Sequence, residues 1–243
     1  MEYNPVKIKS IDKINHDVVQ IVTGKPDHYN FTPGQATEIS ICKDGWEEER
    51  RPFTFTSLPI NNNLEFTIKT YPERNGVTSE LLHLQRNDVL VLHEIFGAIG
   101  YKGEGIFIAG GAGVTPFISI LRQLHASGEI GKNKLIFANK AKQDIILEDE
   151  FREMLGDAFI NILSDEKSNG YHHGLINKNF LKANITNYNQ KFYLCGPLPM
   201  MDAVQQELAA LGIKKNAITM ENLEFLKESA VLVNGHKFEH QAP

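Results

Sequence analysis

Through the first hundred residues, apolar and polar positions alternate in short runs. VKIKSI, HDVVQIVTG, ATEISI, FTFTS, LEFTIKTY and DVLVLHEIFG are rich in β-branched or aromatic residues, the pattern of strands with one face in a core. Turn-forming residues separate them at Lys25-Pro26-Asp27, Thr32-Pro33-Gly34, Lys43-Asp44-Gly45 and Asn61-Asn62-Asn63. Strands at this close spacing predict a small antiparallel β-barrel. One helix is expected among them, from Val77 to Leu84, with Leu81, Leu82 and Leu84 as its apolar face.

After Gly103 strand patterns alternate with helix patterns. GIFIAG, KLIFAN, FINILS and KFYLCG read as strands. Between the first two, Thr115 is placed to cap a helix with Pro116 at its first position and Phe117, Ile120, Leu121 and Leu124 along one side. ILEDEFREML follows as a helix with Leu147, Phe151 and Leu155 at i, i+4 and i+8. Pro199 opens a longer one, whose Met201, Val204, Leu208 and Leu211 form an apolar stripe before Gly212 ends it. Such alternation predicts an α/β doubly wound parallel sheet. The expected organisation is a barrel domain over residues 1–102, an α/β domain over 103–228 and a tail over 229–243, with the boundary at Gly100-Tyr101-Lys102-Gly103.

Composition narrows the function. Of 243 residues, 42% are hydrophobic and 23% charged, which fits folded domains rather than disorder. The net charge is −5, with 11 basic against 14 acidic residues before Gly103 and 14 against 16 after it. Neither half has the basic excess of a nucleic-acid or anionic-membrane surface, so neither partner is expected. The most apolar stretch, Ile106 to Leu121, is interrupted by Gly110, Gly111, Gly113 and Pro116 and is too short to span a bilayer. MEYNPVKIKS has no apolar core behind a basic start, and a soluble cytoplasmic protein is expected. With two cysteines, Cys42 and Cys195, no four-cysteine iron–sulfur or zinc site can form within the chain.

Four local patterns carry candidate chemistry. Gly110-Gly111-Ala112-Gly113-Val114-Thr115-Pro116 joins a buried-type strand to a helix. Its glycines would let backbone N–H groups approach a pyrophosphate at a helix start, although a tight connection alone would use the same residues. The spacing is not that of the GxGxxG fingerprint, because Pro116 stands at its last glycine. Arg51-Pro52-Phe53-Thr54-Phe55-Thr56-Ser57 offers a guanidinium, an aromatic ring and a hydroxyl on an extended segment, or is an ordinary edge strand. Gly76-Val77-Thr78-Ser79 is a second anion site at a helix start, or a plain cap by Thr78 or Ser79. Cys195-Gly196-Pro197 ends a strand, where a thiol commonly serves as a small buried hydrophobe.

In this order the four patterns resemble the ferredoxin–NADP reductase superfamily, over residues from about Val6 to Leu223. RPFTFTS is similar to its Arg-x-(Tyr/Phe)-(Ser/Thr) flavin motif, GVTS to its Gly-x-x-Ser phosphate motif, GGAGVTP to its dinucleotide loop and CGP to its motif beside the nicotinamide. The resemblance implies FAD in the barrel and a nicotinamide dinucleotide in the α/β domain. By that resemblance Arg51 would pair with the flavin phosphates, Pro52 and Phe53 would lie against the flavin, and Thr54 would point its hydroxyl towards the reactive ring nitrogen. Lys69, Thr70 and Tyr71 would follow the strand beside the ribityl chain and adenosine, and Gly76, Val77, Thr78 and Ser79 would hold the pyrophosphate. Gly111, Gly113, Val114, Thr115 and Pro116 would seat the nicotinamide cofactor, and Cys195, Gly196 and Pro197 would bring its ring over the flavin. Thr54, Cys195 and Glu221 are the expected catalytic residues.

The chain departs from the family's pattern in two places. NADPH-using members carry Ser-Arg where this chain has Ser164-Asp165. A carboxylate there repels a 2′-phosphate and suits a 2′-hydroxyl, which favours NADH, with Lys140 and Lys142 as opposing charge. Leu223 stands where an aromatic is common, leaving Phe225 or Phe238 to cover the flavin or the tail to pack elsewhere. No metal site is expected: His172-His173 lies in a polar loop, and Glu47-Glu48-Glu49-Arg50 is a solvated run or a restriction on the approach to the flavin. The resemblance implies an enzyme that passes electrons from NAD(P)H through FAD to a separate acceptor protein such as flavodoxin or ferredoxin. The alternatives are the reductase component of a multi-component oxygenase and a nucleotide-binding module without turnover.

Overall fold

The computed structural model describes residues 3–97 and 99–220. The expected positions at Glu221, Leu223, Phe225 and Phe238, and the 229–243 tail, lie outside the described residues.

The first half contains β1 (Asn4–Lys13), β2 (Val18–Gly24), β3 (Gln35–Ile41), β4 (Arg51–Thr54), β5 (Asn63–Lys69), α1 (Val77–Glu80) and β6 (Val89–Gly97). Its six strands form one antiparallel sheet in the order β4-β3-β6-β1-β2-β5. The segment expected as one strand, Phe53 to Ser57, is instead split. β4 ends at Thr54, and the chain then leaves β3 for the opposite sheet edge. Phe55 N–H donates to Gln35 at 3.1 Å, Thr56 N–H to the Glu65 carbonyl of β5 at 2.8 Å, and Glu65 N–H to Ser57 Oγ at 3.1 Å. These three bonds bridge the two edges of the sheet. The Phe55 ring drives the crossing: it is fully buried, stacked on Phe31 with centroids 4.2 Å apart, and 5.4 Å from Phe66. The expected helix at Val77 is a single α-turn followed by a 3-10 turn over Leu81–His83. Leu81 is buried but Leu82 is exposed, because the tighter turn rotates it away from the core.

The second half contains β7 (Gly105–Gly110), α2 (Thr115–Ala126), β8 (Lys134–Asn139), α3 (Glu148–Leu155), β9 (Phe159–Leu163), β10 (His172–His173), α4 (Lys178–Asn184), β11 (Lys191–Cys195), α5 (Leu198–Ala210) and β12 (Ile218–Met220). All six strands are parallel, in the order β10-β9-β8-β7-β11-β12. β7 is buried throughout and alternates between two cores, Phe107 and Ala109 packing with α2 and α3, Ile106 and Ile108 with α4 and α5. Several details differ from expectation. Thr115 does not cap α2 but is its first helical residue, after a 3-10 turn over Gly111–Val114, and its hydroxyl donates back to the Ala112 carbonyl at 3.0 Å. α3 starts two residues later than expected because Leu147 has φ of +53°. α4 was not expected; Asn177 caps it by accepting the Phe180 N–H at 3.0 Å. Among the described residues no helix is long and apolar enough to cross a membrane.

The halves share a core. Val18 from the barrel and Ile99 from the connection are buried with Phe107, Phe117 and Tyr193, and Ile14 packs against them. The connection is fixed by Tyr193, whose hydroxyl accepts the Lys102 N–H at 2.8 Å and donates to the Gly103 carbonyl at 2.7 Å.

On the outer side of the barrel His93 is buried, with Nε2 3.0 Å from Ser40 Oγ. Burial, aided by the charge of Arg50, pulls its pKa below the ordinary value of 6.5. The unfolded chain therefore takes up that proton at a higher pH than the folded one. Stability is expected to be intact above about pH 6.5 and to erode as pH falls from there through the lowered folded value. Urea midpoints at neutral and mildly acidic pH should show this loss in the wild type and a smaller one in His93→Gln; equal losses would exclude His93 as the source.

Candidate functional site

In the parallel sheet the chain winds outward from β7 to β10 and then returns to the other side of β7 as β11. At such a reversal the connections leave on opposite faces and open a crevice at the carboxyl ends of the strands. The two loops at this point are Gly110-Gly111-Ala112-Gly113 after β7 and Cys195-Gly196-Pro197 after β11. They cross in backbone contact: a β-carbon on Gly113 would stand 2.5 Å from the Cys195 carbonyl, and one on Gly196 would stand 3.1 Å from Gly110 N. Gly113 and Gly196 are thus needed for loop packing. Gly111 differs, with φ of +51° and open space where its β-carbon would be, so its backbone is the part of the loop a ligand can approach. Cys195 is buried, and its side chain belongs to the core formed with Ala109 and Val114.

The barrel approaches the same point through β4. Thr54 Oγ1 and Thr115 Oγ1 lie 3.5 Å apart, at the outer limit of a hydrogen bond. Thr54, Gly113, Thr115, Cys195 and Gly196, which are far apart in sequence, are therefore linked by a short run of contacts. Pro116 and Val114 are buried beneath the loop.

Farther along the barrel, Arg51 is half-buried, donating from Nη1 to the Arg50 carbonyl at 2.6 Å and lying 3.3 Å from Glu49 through Nη2. Phe53 packs on the barrel core and Pro52 is half-buried beside it. Gly76 is extended, with open space at its β-carbon position. No side chain caps α1; Ser79 Oγ donates instead to the Pro72 carbonyl at 3.3 Å. The first N–H groups of that turn, at Val77 and Thr78, lack intrahelical acceptors by the geometry of a helix start. Lys69 and Thr70 are occupied locally: Lys69 Nζ is 2.6 Å from Asp17, and Thr70 bonds the Asp17 carbonyl through N at 2.7 Å and Oγ1 at 3.0 Å. Tyr71 faces outward under the Arg74 guanidinium, 4.4 Å from its ring centroid, and Arg74 was not anticipated from the sequence. A fixed cation, an uncapped turn beside an open glycine and an aromatic ledge form a donor set suited to a flavin dinucleotide. Gly111 and the loop crossing suit a second dinucleotide.

At the tips of β8 and β9, Ser164 and Asp165 donate their N–H groups to Asn139 and Lys140 at 3.0 and 2.9 Å. Asp165 is exposed and accepts the Ser164 hydroxyl at 2.5 Å, while Glu166 accepts the Lys142 N–H at 2.8 Å. The Lys142 ammonium is drawn away over the Tyr171 ring, 5.5 Å from its centroid, while Lys140 stays exposed at this edge beside Asp165. His172 and His173 form a short strand rather than a loop; His173 Nδ1 is 3.0 Å from the Glu166 carbonyl. A hollow of about 810 Å³ lies elsewhere, lined by Lys13, Lys142, Glu148, Arg152 and Tyr171 among others. Its mixed charge and lack of glycine backbone make it a poorer nucleotide seat than the crevice at the reversal point.

Residues 3–97 match the FAD-binding domain family and residues 107–206 the oxidoreductase NAD-binding domain family. The chain is 28% identical over 231 residues to the reductase component of propane 2-monooxygenase from Rhodococcus jostii, covering 87% of this chain and 61% of that protein. It is 28% identical over 230 residues to NADH-cytochrome b5 reductase 2 from Mycosarcoma maydis, covering 84% of this chain and 65% of that one. The chain thus spans a little over three fifths of the length of these curated relatives. A crystal structure of a ferredoxin NADP+ reductase from Neisseria gonorrhoeae with bound FAD and NADP shares the fold, with a TM-score of 0.78, 18% identity and coverage of 91% of this chain and 99% of that one.

Gly113→Ala is expected to force the two crossing loops apart and destabilise the protein by about 1–3 kcal/mol, as overpacking does. Thermal melts would check this; an unchanged midpoint would mean the loops can separate freely.

Proposed function

Since the chain belongs to the ferredoxin–NADP reductase superfamily and carries its FAD-binding and NAD-binding domains, we propose that it is a flavin-dependent oxidoreductase that draws electrons from NADH and delivers them to a separate acceptor protein. The observation that carries this reading is the approach of Thr54 on the barrel to Thr115 on the dinucleotide loop, which brings two nucleotide-binding halves to one point. FAD, when bound, accepts a hydride from the reduced nicotinamide, oxidising it by two electrons, and releases those electrons singly. The protein's part is binding and orientation. Arg51, Gly76, Val77, Thr78 and Ser79 hold phosphates; Phe53 and Tyr71 border the rings; Thr54 offers a hydroxyl at the reacting edge. Gly111 presents backbone to the nicotinamide dinucleotide, and the crossing of Gly113 with Cys195 and Gly196 sets the height of that loop. Glu49, now beside Arg51, is a carboxylate that a phosphate would displace.

The exposed Asp165, with Lys142 turned onto Tyr171, favours a ribose 2′-hydroxyl over a 2′-phosphate and hence NADH. For the acceptor, the first reading is a small electron-carrier protein such as flavodoxin or ferredoxin. The similarity to a monooxygenase reductase component favours as second reading an oxygenase partner on another chain. The cytoplasm, where thiols such as Cys42 stay reduced, is the proposed location.

The purified protein should be yellow or become so with FAD, and anaerobic NADH should bleach it. Protein that stays colourless with FAD would overturn the reductase reading in favour of a nucleotide-binding module. Arg51→Ala should lower flavin retention in the same preparation; wild-type retention would remove Arg51 from the site. Asp165→Ser should shift the NADPH-to-NADH ratio of kcat/KM upward about ten-fold, of the order expected for about 1.4 kcal/mol of relieved repulsion. An unchanged ratio would place cofactor choice elsewhere.

A further inference from the structure

Helix α2 turns three polar side chains towards the barrel. Thr115, Ser119 and Arg122 recur at i, i+4 and i+7 and so share one face over a length of about 10 Å. Each meets a different part of the barrel. Thr115 Oγ1 approaches Thr54 at 3.5 Å; the fully buried Ser119 Oγ accepts the Gly34 N–H at 3.1 Å; Arg122 Nη1 donates to the Thr56 carbonyl at 2.7 Å and to Glu65 at 2.5 Å. Arg122 is also gripped from behind, by Glu150 of α3 through Nε at 2.5 Å and Nη2 at 2.8 Å. Its side chain is 19% exposed. Burial acts against its charge, but the hydrogen bonds and charges of Glu150 and Glu65 outweigh it and hold the guanidinium protonated.

We infer that Arg122 is a positioning residue for flavin reduction, setting the distance between the dinucleotide loop and β4 without touching either cofactor. This rests on the oxidoreductase reading above. Thr54 and Thr56 lie two residues apart on one segment, and α2 holds that segment at both points, by its first residue and by Arg122 two turns later. The dinucleotide loop runs directly into α2, so any shift of the helix moves the loop. The guanidinium also separates two carboxylates, Glu65 from the barrel and Glu150 from the α/β domain. Without it they face each other across the seam, and like-charge repulsion pushes the domains apart. A displacement of about 1 Å between reacting groups costs on the order of a hundred-fold in rate.

The test uses FAD-loaded wild type, Arg122→Met and Arg122→Lys in anaerobic rapid mixing with NADH. Arg122→Met should lower the limiting rate of flavin reduction by about ten- to a hundred-fold while NADH and FAD affinities stay within about two-fold, and Arg122→Lys should recover part of the rate. A second readout needs no turnover: amide hydrogen exchange should quicken in peptides covering residues 54–57 and 111–122 but not in those covering 134–139. A wild-type limiting rate in Arg122→Met, or a fall matched by lost FAD affinity and by faster exchange throughout, overturns the inference. If Arg122→Met does not fold, Arg122→Lys decides, a reduced limiting rate supporting the inference and a wild-type rate overturning it. A wild type that neither NADH nor NADPH reduces overturns this inference and the oxidoreductase reading together, whereas a reducible wild type with an indifferent Arg122 overturns this inference alone.

Discussion

A guanidinium held between two carboxylates from different domains is a constraint as much as a bond. Arg122 cannot leave Glu65 without stranding a half-buried charge, and cannot leave Glu150 without losing a paired two-point contact. Its third acceptor, the Thr56 carbonyl, belongs to the segment that bridges the edges of the barrel sheet. One side chain therefore ties the bridged barrel edge to the helix that follows the dinucleotide loop. Other contacts across the seam include single hydrogen bonds or pairs, Thr115 with Thr54, Ser119 with Gly34 and His16 with Gln143 and Asp144, and the apolar packing of Ile14 and Val18.

Glycine works in two distinct ways at the reversal point of the parallel sheet. Gly113 and Gly196 are there because two backbones cross, and a β-carbon on either would meet main-chain atoms. Gly111 is there because its backbone turns through φ of +51° and faces empty space. A glycine-rich string does not separate these roles, since the first is defined by a second loop more than 80 residues away.

The alternation of apolar positions made the strands legible, and β7, β8 and β11 run where GIFIAG, KLIFAN and KFYLCG put them, because buried parallel strands are short unbroken apolar runs. Ends were harder to read. The run after Thr54 looks like continuous strand, but past Phe55, which still bonds β3, Thr56 and Ser57 cross to β5 as the Phe55 ring packs with Tyr29, Phe31 and Phe66. Thr115 looks like a cap but is already helical, since a 3-10 turn precedes it. The motif residues were legible one by one, whereas their meeting at Thr54 and Thr115 is a property of the seam. Arg122 gave a signal that could have been used: a charged residue in step with Thr115 and Ser119, next to the apolar run Pro116, Phe117, Ile118, Ile120 and Leu121. Such a polar stripe marks a face that meets another polar surface rather than solvent.

The barrel lends Ile14 and Val18 to the core of the other domain, and this bears on how the chain comes into being. During synthesis the barrel emerges first, with those side chains and Glu65 still facing water. They find their partners only once α2 and, later still, β11 have been made. The early half is thus a scaffold waiting for its second wall, and the order of translation matches the order in which the seam is built. An isolated barrel would carry an open apolar scar, so exchange of modules with a distant cousin would have to replace both faces of the seam together.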